Sequence, residues 1–82
     1  MAFVYMLQGT SGRFYIGASE NPVMRIEQHN SGKVYSSKRL GLPLKLVASR
    51  RFDSMSEALK VERMLKKWKS PSKSRKYLEE AG

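Results

Sequence analysis

The sequence predicts a small α/β protein of the α+β type, in which a three-stranded antiparallel sheet is flanked by helices in the order β-β-α-β-α-α. Three features support this prediction: a hairpin pattern near the N-terminus, a later run of alternating residues, and two helix-start signals. The 82-residue chain has room for one core of modest size, so we expect a single domain over residues 1–82.

The hairpin consists of two short apolar and aromatic runs, residues 3–7 and 13–17, on either side of the turn Gly9-Thr10-Ser11-Gly12. A glycine-rich turn of this length between two such runs is typical of paired strands. Because pleating sends alternate side chains to opposite faces, Phe14 and Ile16 should share one face and Tyr15 should lie on the other.

The first helix is expected to begin at Asn21-Pro22, where a capping side chain precedes proline at the first helical position. It should end near His29, because Asn30-Ser31-Gly32 is a typical stop signal. A long loop over residues 33–43 follows. Residues 44–52 are then predicted to form the third strand, in which Leu44, Leu46 and Ala48 alternate with Lys45 and Ser49.

The second helix is predicted from the capping box Ser54-Met55-Ser56-Glu57 and should continue to about Trp68. Its apolar stripe consists of Ala58, Val61, Leu65 and Trp68. Trp68 is most simply interpreted as the anchor of this helix in the core. Ser70-Pro71-Ser72 is expected to break this helix, and a short terminal helix should follow from about Lys73 to Glu80.

The composition favours a nucleic-acid partner. Sixteen Lys and Arg residues against seven Asp and Glu give a net charge of +9, and residues 60–77 contain eight basic residues with Glu62 as the single acid. Such a surface attracts polyanions. An anionic membrane is a poorer match, because the basic helix lacks a strongly apolar opposite face. With no cysteine, no membrane-length apolar run and no signal-peptide layout, we expect a soluble cytoplasmic protein.

Two tyrosines side by side on the hairpin and an arginine on the next helix indicate phosphodiester chemistry. On these residues the chain resembles the GIY-YIG nuclease superfamily: Val4-Tyr5 stands at the first motif, Tyr15-Ile16-Gly17 matches the second, and Arg25 follows on the first helix. The segment that runs from Tyr15-Ile16-Gly17 through Asn21-Pro22 and Arg25-Ile26 to Gln28-His29-Asn30 is similar to members that cut branched DNA. The size and the tail resemble small stand-alone bacterial members.

The resemblance implies a metal-binding glutamate in the helix after the third strand, and two residues compete for that role. Glu57 is explained by capping, whereas Glu62 lies in mid-helix beside the apolar stripe, so we assign Glu62. Glu62 with Lys66 also has the spacing of an ordinary i,i+4 ion pair. By resemblance the metal is a divalent cation, Mg²⁺ with Mn²⁺ as the alternative, held by Glu62 and water.

The other catalytic roles follow from the same resemblance. Arg25 would bind the phosphate, and Tyr5 and Tyr15 would position the attacking water. His29 lies four residues after Arg25 on the same helical face and has an ordinary pKa near 6.5, suitable for a base. Which of Tyr5, Tyr15 and His29 accepts the proton stays open at this point.

Residues in the long loop and the basic tail are predicted to contact the nucleic-acid backbone; they are Lys33, Tyr35, Lys38, Arg39, Lys66, Lys69 and Lys73. The chain also departs from the family pattern at two positions. Ala18 stands where some members have a lysine, and Ser74 stands where some have an asparagine.

The leading hypothesis is a metal-dependent endonuclease acting on DNA in preference to RNA, with branched or flap DNA as the substrate and a protein partner for targeting. The alternative is a nucleic-acid-binding module that keeps the fold without turnover. A small ribosome-associated protein would explain the charge but not the Tyr-Tyr-Arg-Glu set, so it ranks third.

Overall fold

The computed structural model describes residues 1–32 and 39–80 and confirms the predicted order of elements. They are β1 (Ala2–Gln8), β2 (Phe14–Ser19), α1 (Pro22–Asn30), β3 (Lys45–Phe52), α2 (Met55–Trp68) and α3 (Pro71–Glu79). The three strands form one antiparallel sheet in the order β2-β1-β3, so β1 is central. No helix within the described ranges is long and apolar enough to cross a bilayer.

The central strand separates two apolar clusters. Alternate β1 residues Ala2, Val4 and Met6 pack on one face of the sheet, together with residues of α2 and α3. Tyr5 and Leu7 point to the other face, where Ile26 of α1 and the segment before β3 cover them. Phe14 and Ile16 belong to the first cluster and Tyr15 to the second, as the pleating argument predicted.

The prediction for the third strand was wrong about Leu46, which is 52% exposed. The cause is a register shift: Met6 pairs with Ala48 but Leu7 pairs with Leu46, which leaves Val47 as an extra residue. A bulge of this kind interrupts the alternation of side chains. Val47, rather than Leu46, therefore packs against the cluster on the α2 side.

The last helix begins earlier than predicted. Pro71 occupies the first turn of α3, and the Ser70 hydroxyl accepts a hydrogen bond from the Lys73 backbone N–H at 3.4 Å. Ser70-Pro71 is therefore a helix start like Asn21-Pro22, rather than a break. The chain turns between α2 and α3 at Lys69, whose φ of 50° is left-handed.

Trp68 is not the core anchor that its spacing suggested, because 41% of its surface is exposed. The buried residues of α2 are Ala58 and Leu65. The Trp68 ring instead meets Tyr77 of α3 edge to face, with ring centroids 5.8 Å apart. Trp68 therefore lies at the junction of α2 and α3 and faces solvent.

The end of α1 is tied to the start of β3 by one side chain. The Asn30 Oδ1 accepts a hydrogen bond from the Leu44 N–H at 2.7 Å, and the Asn30 Nδ2 donates to the Leu44 carbonyl at 3.3 Å. The Asn30 amide thus bonds to both the N–H and the carbonyl of Leu44, as a neighbouring strand would. It fixes α1, which carries Arg25 and His29, relative to the sheet.

Candidate active site

The five residues predicted to be catalytic come from four elements. Tyr5 lies on β1, Tyr15 on β2, Arg25 and His29 on α1, and Glu62 on α2. The Tyr5 and Tyr15 rings lie 6.5 Å apart between centroids, and the Tyr15 and His29 rings lie 4.9 Å apart in an edge-on arrangement. The fold therefore brings the two strands and α1 together at one site.

Gly17 makes room for Tyr5. The two residues pair across β1 and β2. A β-carbon at Gly17 would lie 2.6 Å from the Tyr5 hydroxyl oxygen and 2.7 Å from Tyr5 Cζ. The Tyr5 ring therefore rests across the backbone of β2. The tyrosine of the first motif can occupy this position because the second motif has a glycine there, without a side chain.

Tyr5 is almost fully buried, with 1% of its surface exposed. Burial, and next the proximity of Tyr15, raise the pKa of the Tyr5 phenol to about 12. The charge of Arg25 opposes this rise and that of Glu62 adds to it, so both charges act on the Tyr5 hydroxyl. At neutral pH the phenol is protonated and can donate a hydrogen bond.

His29 is completely buried. Neither ring nitrogen has a hydrogen-bond partner among residues 1–32 and 39–80. Burial, with a smaller contribution from the positive charge of Arg25, lowers the pKa of His29 below its usual 6.5, so the imidazole is neutral at pH 7. The ring is shielded from solvent and packs edge-on against the Tyr15 ring.

Glu62 and Lys66 form the i,i+4 ion pair that their spacing suggested, with 3.5 Å between Lys66 Nζ and Glu62 Oε2. The Glu62 side chain is only 17% exposed and that of Lys66 is 52% exposed. Lys66 Nζ also lies 5.9 Å from the centre of the Tyr15 ring. A lysine is thus placed beside Tyr15 from α2, although position 18, where some family members have one, is alanine.

A cleft opens beside Tyr15 between β2 and the junction of α2 and α3, with Lys66, Lys69 and Ser74 in its lining. Ser74 is fully buried, and its hydroxyl has no hydrogen-bond partner among the described residues. Sequence reasoning identified Ser74 only as a departure from the family pattern. Its burial in this wall depends on how α3 packs.

The residues predicted to contact the nucleic-acid backbone separate into groups. Lys66 and Lys69 line the cleft beside Tyr15, whereas Lys73 lies beside Trp68. Arg39 is exposed. The predictions for Lys33, Tyr35 and Lys38 fall outside the described residues.

The part of the chain that the structure describes contains no group of three or more metal-ligating His, Asp or Glu side chains. Within the site, Glu62 is the carboxylate that acts on Tyr5. One carboxylate with hydroxyl groups nearby is an all-oxygen donor set, which suits a hard cation that keeps most of its water, as Mg²⁺ does. The site residues therefore fit a hydrated divalent cation.

A three-stranded sheet presenting two adjacent tyrosines, with an arginine from α1 and a glutamate from α2, is the arrangement expected of a GIY-YIG nuclease. Residues 1–77 match the GIY-YIG catalytic domain. The chain therefore belongs to the GIY-YIG family, a family of nuclease domains whose substrate is nucleic acid.

Within this family the chain is similar to small stand-alone proteins named UPF0213. One from Streptococcus pneumoniae is 39% identical over 72 residues, which are 88% of this chain and 73% of that protein. One from Bacillus licheniformis is 35% identical over 78 residues, which are 95% of this chain and 79% of that protein. The solution structure of a UPF0213 protein from Bacillus halodurans has a TM-score of 0.55 and 32% identity, covering 100% of this chain and 87% of that one.

Proposed function

We propose that this protein is a divalent-cation-dependent endonuclease that hydrolyses phosphodiester bonds in DNA, with branched or flap DNA as its substrate. The observation that carries the proposal is the position of Glu62, a mostly buried carboxylate whose charge acts on Tyr5 within a protein of net charge +9. A protein that only binds phosphates gains nothing from a carboxylate there, because it repels them.

Arg25 is the phosphate-binding residue in this proposal. Its guanidinium is permanently charged and planar, so it can donate two parallel hydrogen bonds to phosphate oxygens. It is partly exposed, and its Nη1 donates to the exposed Gln28 side chain at 3.1 Å. That contact holds the guanidinium in place while leaving other donors for substrate.

Glu62 would hold the divalent cation, together with water and phosphate oxygens of the substrate. When bound, the cation supplies positive charge at the phosphate and at the leaving oxygen. Lys66 keeps the Glu62 carboxylate in position from the next turn of α2. Because this lysine is half exposed, it can also contact a neighbouring phosphate of the strand.

The two tyrosines take different roles. Tyr5, with its raised pKa and deep burial, is a hydrogen-bond donor rather than a base at neutral pH. Tyr15 is partly exposed and lines the cleft, which supports assigning to it the orientation of the attacking water. His29 acts through Tyr15, because a fully buried imidazole does not reach substrate.

The preference for branched or flap DNA rests on the similarity of residues 15–30 to members that cut such substrates. Tyr15, Arg25 and His29 lie in this segment, which comprises most of β2 together with α1 and its cap. A protein partner would supply targeting for so small a catalytic domain.

The test is cleavage of end-labelled splayed, flap and four-way DNA with Mg²⁺ or Mn²⁺. Glu62→Gln should lower the rate by at least about 100-fold, the scale of losing one electrostatic group that stabilises the transition state, while DNA binding persists. Glu57→Gln is the matched control, since Glu57 lies on the same helix in the exposed first turn. Equal rates for wild type and Glu62→Gln would contradict the metal role. DNA binding without cleavage under either metal would replace the nuclease with a binding module.

A further inference from the structure

We propose that a second nucleic-acid-binding surface, centred on Trp68, holds an unpaired strand by stacking a base on the indole ring. The Trp68 surface consists of Trp68 and the basic residues that line the clefts around it: Lys60, Arg63, Lys67, Lys73 and Lys76. It shares its class of ligand with the proposed nuclease but does not depend on cleavage.

Trp68 is a large exposed aromatic side chain that is nevertheless held in place. It is 41% exposed, and its ring meets Tyr77 at 87°. Tyr77 in turn lies under the Arg50 guanidinium, 5.0 Å from the ring centre, and Arg50 also covers Phe52 at 5.2 Å. Because these contacts already hold the Trp68 ring in place, it loses little conformational freedom when a ligand stacks on it.

The charges around Trp68 are complementary to phosphate. All five cations of the Trp68 surface are in α2 or α3. Among the described residues that line these clefts, Glu80 is the single acid. Its Oε1 lies 3.9 Å from Lys76 Nζ. Cations that follow a strand's backbone, with an aromatic ring between them, are the usual means of binding single-stranded nucleic acid.

The Trp68 surface is separate from the candidate active site. Along α2, Glu62 and Trp68 differ by about 120° around the helix axis, and Lys66 and Trp68 by about 160°, at 100° per residue. Lys66, which is paired with Glu62, therefore faces Tyr15, while Trp68 faces Tyr77. One nucleic acid that diverges into two strands can occupy both surfaces.

The indole distinguishes an unpaired strand from other polyanions. A duplex shows phosphates but hides the faces of its bases, and an acidic peptide offers charge without a base to stack. Either would use the lysines and leave the exposed ring without a partner. An unpaired strand uses both features, which is why we commit to it.

The experiment uses the intrinsic fluorescence of Trp68, the only tryptophan in the chain. Glu62→Gln protein at low salt is titrated with a twelve-residue thymidine strand and with an abasic strand carrying the same number of phosphates. The thymidine strand should quench the emission to saturation, and the abasic strand should quench it at least threefold less. Equal quenching by the two strands, or none by either, would overturn the proposal. Stronger quenching by a polyglutamate peptide would also overturn it and indicate a protein partner.

Variants test the same surface by a second readout, the anisotropy of a labelled thymidine strand. Trp68→Leu should weaken binding about fivefold or more, since stacking on an aromatic side chain dominates such contacts. Lys73→Gln should weaken it more than Lys45→Gln, which removes the same charge from an exposed residue beside the hairpin turn. Equal weakening by the two lysine variants would show that only overall charge matters. Thermal melting of each variant verifies that it is folded, and the lysine pair keeps the test valid if Trp68→Leu is unstable.

These results are independent of the nuclease test. Loss of cleavage in Glu62→Gln with normal quenching supports both proposals, whereas cleavage without quenching would leave the nuclease and remove the Trp68 surface.

Discussion

The Tyr5 hydroxyl oxygen lies 2.6 Å from the point where a β-carbon would stand on Gly17. The two residues face each other across β1 and β2, so the tyrosine of the first motif covers the glycine of the second. Tyr15 Cε1 would lie 3.0 Å from the same β-carbon. Gly17 thus allows both tyrosines to approach each other.

Gly17→Ala should displace Tyr5 and disrupt the site. Because a methyl group would overlap the Tyr5 ring, we expect the free energy of unfolding to fall by about 1–3 kcal/mol, the usual effect of overpacking a buried position. Cleavage should fall more than binding, since a shift of about 1 Å in a catalytic group is costly. Chemical denaturation and single-turnover cleavage measure the two effects.

A double-mutant cycle with Tyr5→Phe is the control. Tyr5→Phe removes the nearest clashing atom, so the double variant should be less destabilised than the sum of the two single changes. Strict additivity would show that the clash does not lie between these residues.

Because the Tyr5 phenol is buried, we expect the protein to lose stability at high pH. The pKa of Tyr5 is raised to about 12 in the folded state against 10.0 when unfolded, so the unfolded state loses its proton first as the pH rises. The free energy of unfolding should decrease between pH 10 and 12, by on the order of 2 kcal/mol more in wild type than in Tyr5→Phe. Parallel pH profiles from denaturant melts would contradict the prediction.

For His29 we expect a loss of stability at low pH instead of at high pH. Its pKa is lowered in the folded state, so below pH 6.5 the unfolded chain takes up a proton that the folded chain does not. The free energy of unfolding should therefore decrease as the pH falls through this range, and this decrease should be smaller in His29→Phe. Denaturant melts from pH 7.5 to 5 test this, and an unchanged slope in the variant would exclude His29 as the cause.

Asn30→Ala should loosen α1 from the sheet. The change removes both hydrogen bonds to the Leu44 backbone, with an expected cost of about 1–3 kcal/mol. Asn30→Asp keeps the acceptor for the Leu44 N–H and should be intermediate. Hydrogen exchange of the Leu44 amide, together with urea melts, measures the effect, and equal stability of all three proteins would contradict it.

Lys66→Gln should reduce cleavage with little effect on folding. Because Lys66 is half exposed, its ion pair with Glu62 should contribute no more than about 1 kcal/mol to the free energy of unfolding. Its removal leaves Glu62 unsupported and takes a cation from Tyr15, and we expect a rate loss on the order of tenfold. Lys45→Gln removes the same charge from an exposed residue beside the hairpin turn, outside both the candidate active site and the Trp68 surface. Equal rates in the two variants would show that Lys66 acts only through net charge.

Short-range signals explain most of what could be predicted. The caps at Asn21 and Ser54 act through bonds to residues three positions ahead, so they are visible in the sequence and hold in the structure. The start of α3 was missed because Ser70-Pro71 follows directly on α2 and has the composition of both a helix breaker and a helix start. Leu46 was misplaced because a bulge depends on pairing with β1, which no local pattern reveals.

By itself, the sequence determined the family, the order of the elements and the opposition of Tyr15 to Phe14 and Ile16, since spacing, capping and pleating are local properties of the chain. Only the tertiary structure decided that Tyr5 covers Gly17, that His29 is shielded, that Lys66 reaches Tyr15 and that Trp68 faces solvent. Each of these depends on how elements distant in sequence pack together. Packing, rather than propensity, sets burial and charge environment, and with them the chemistry each side chain can perform.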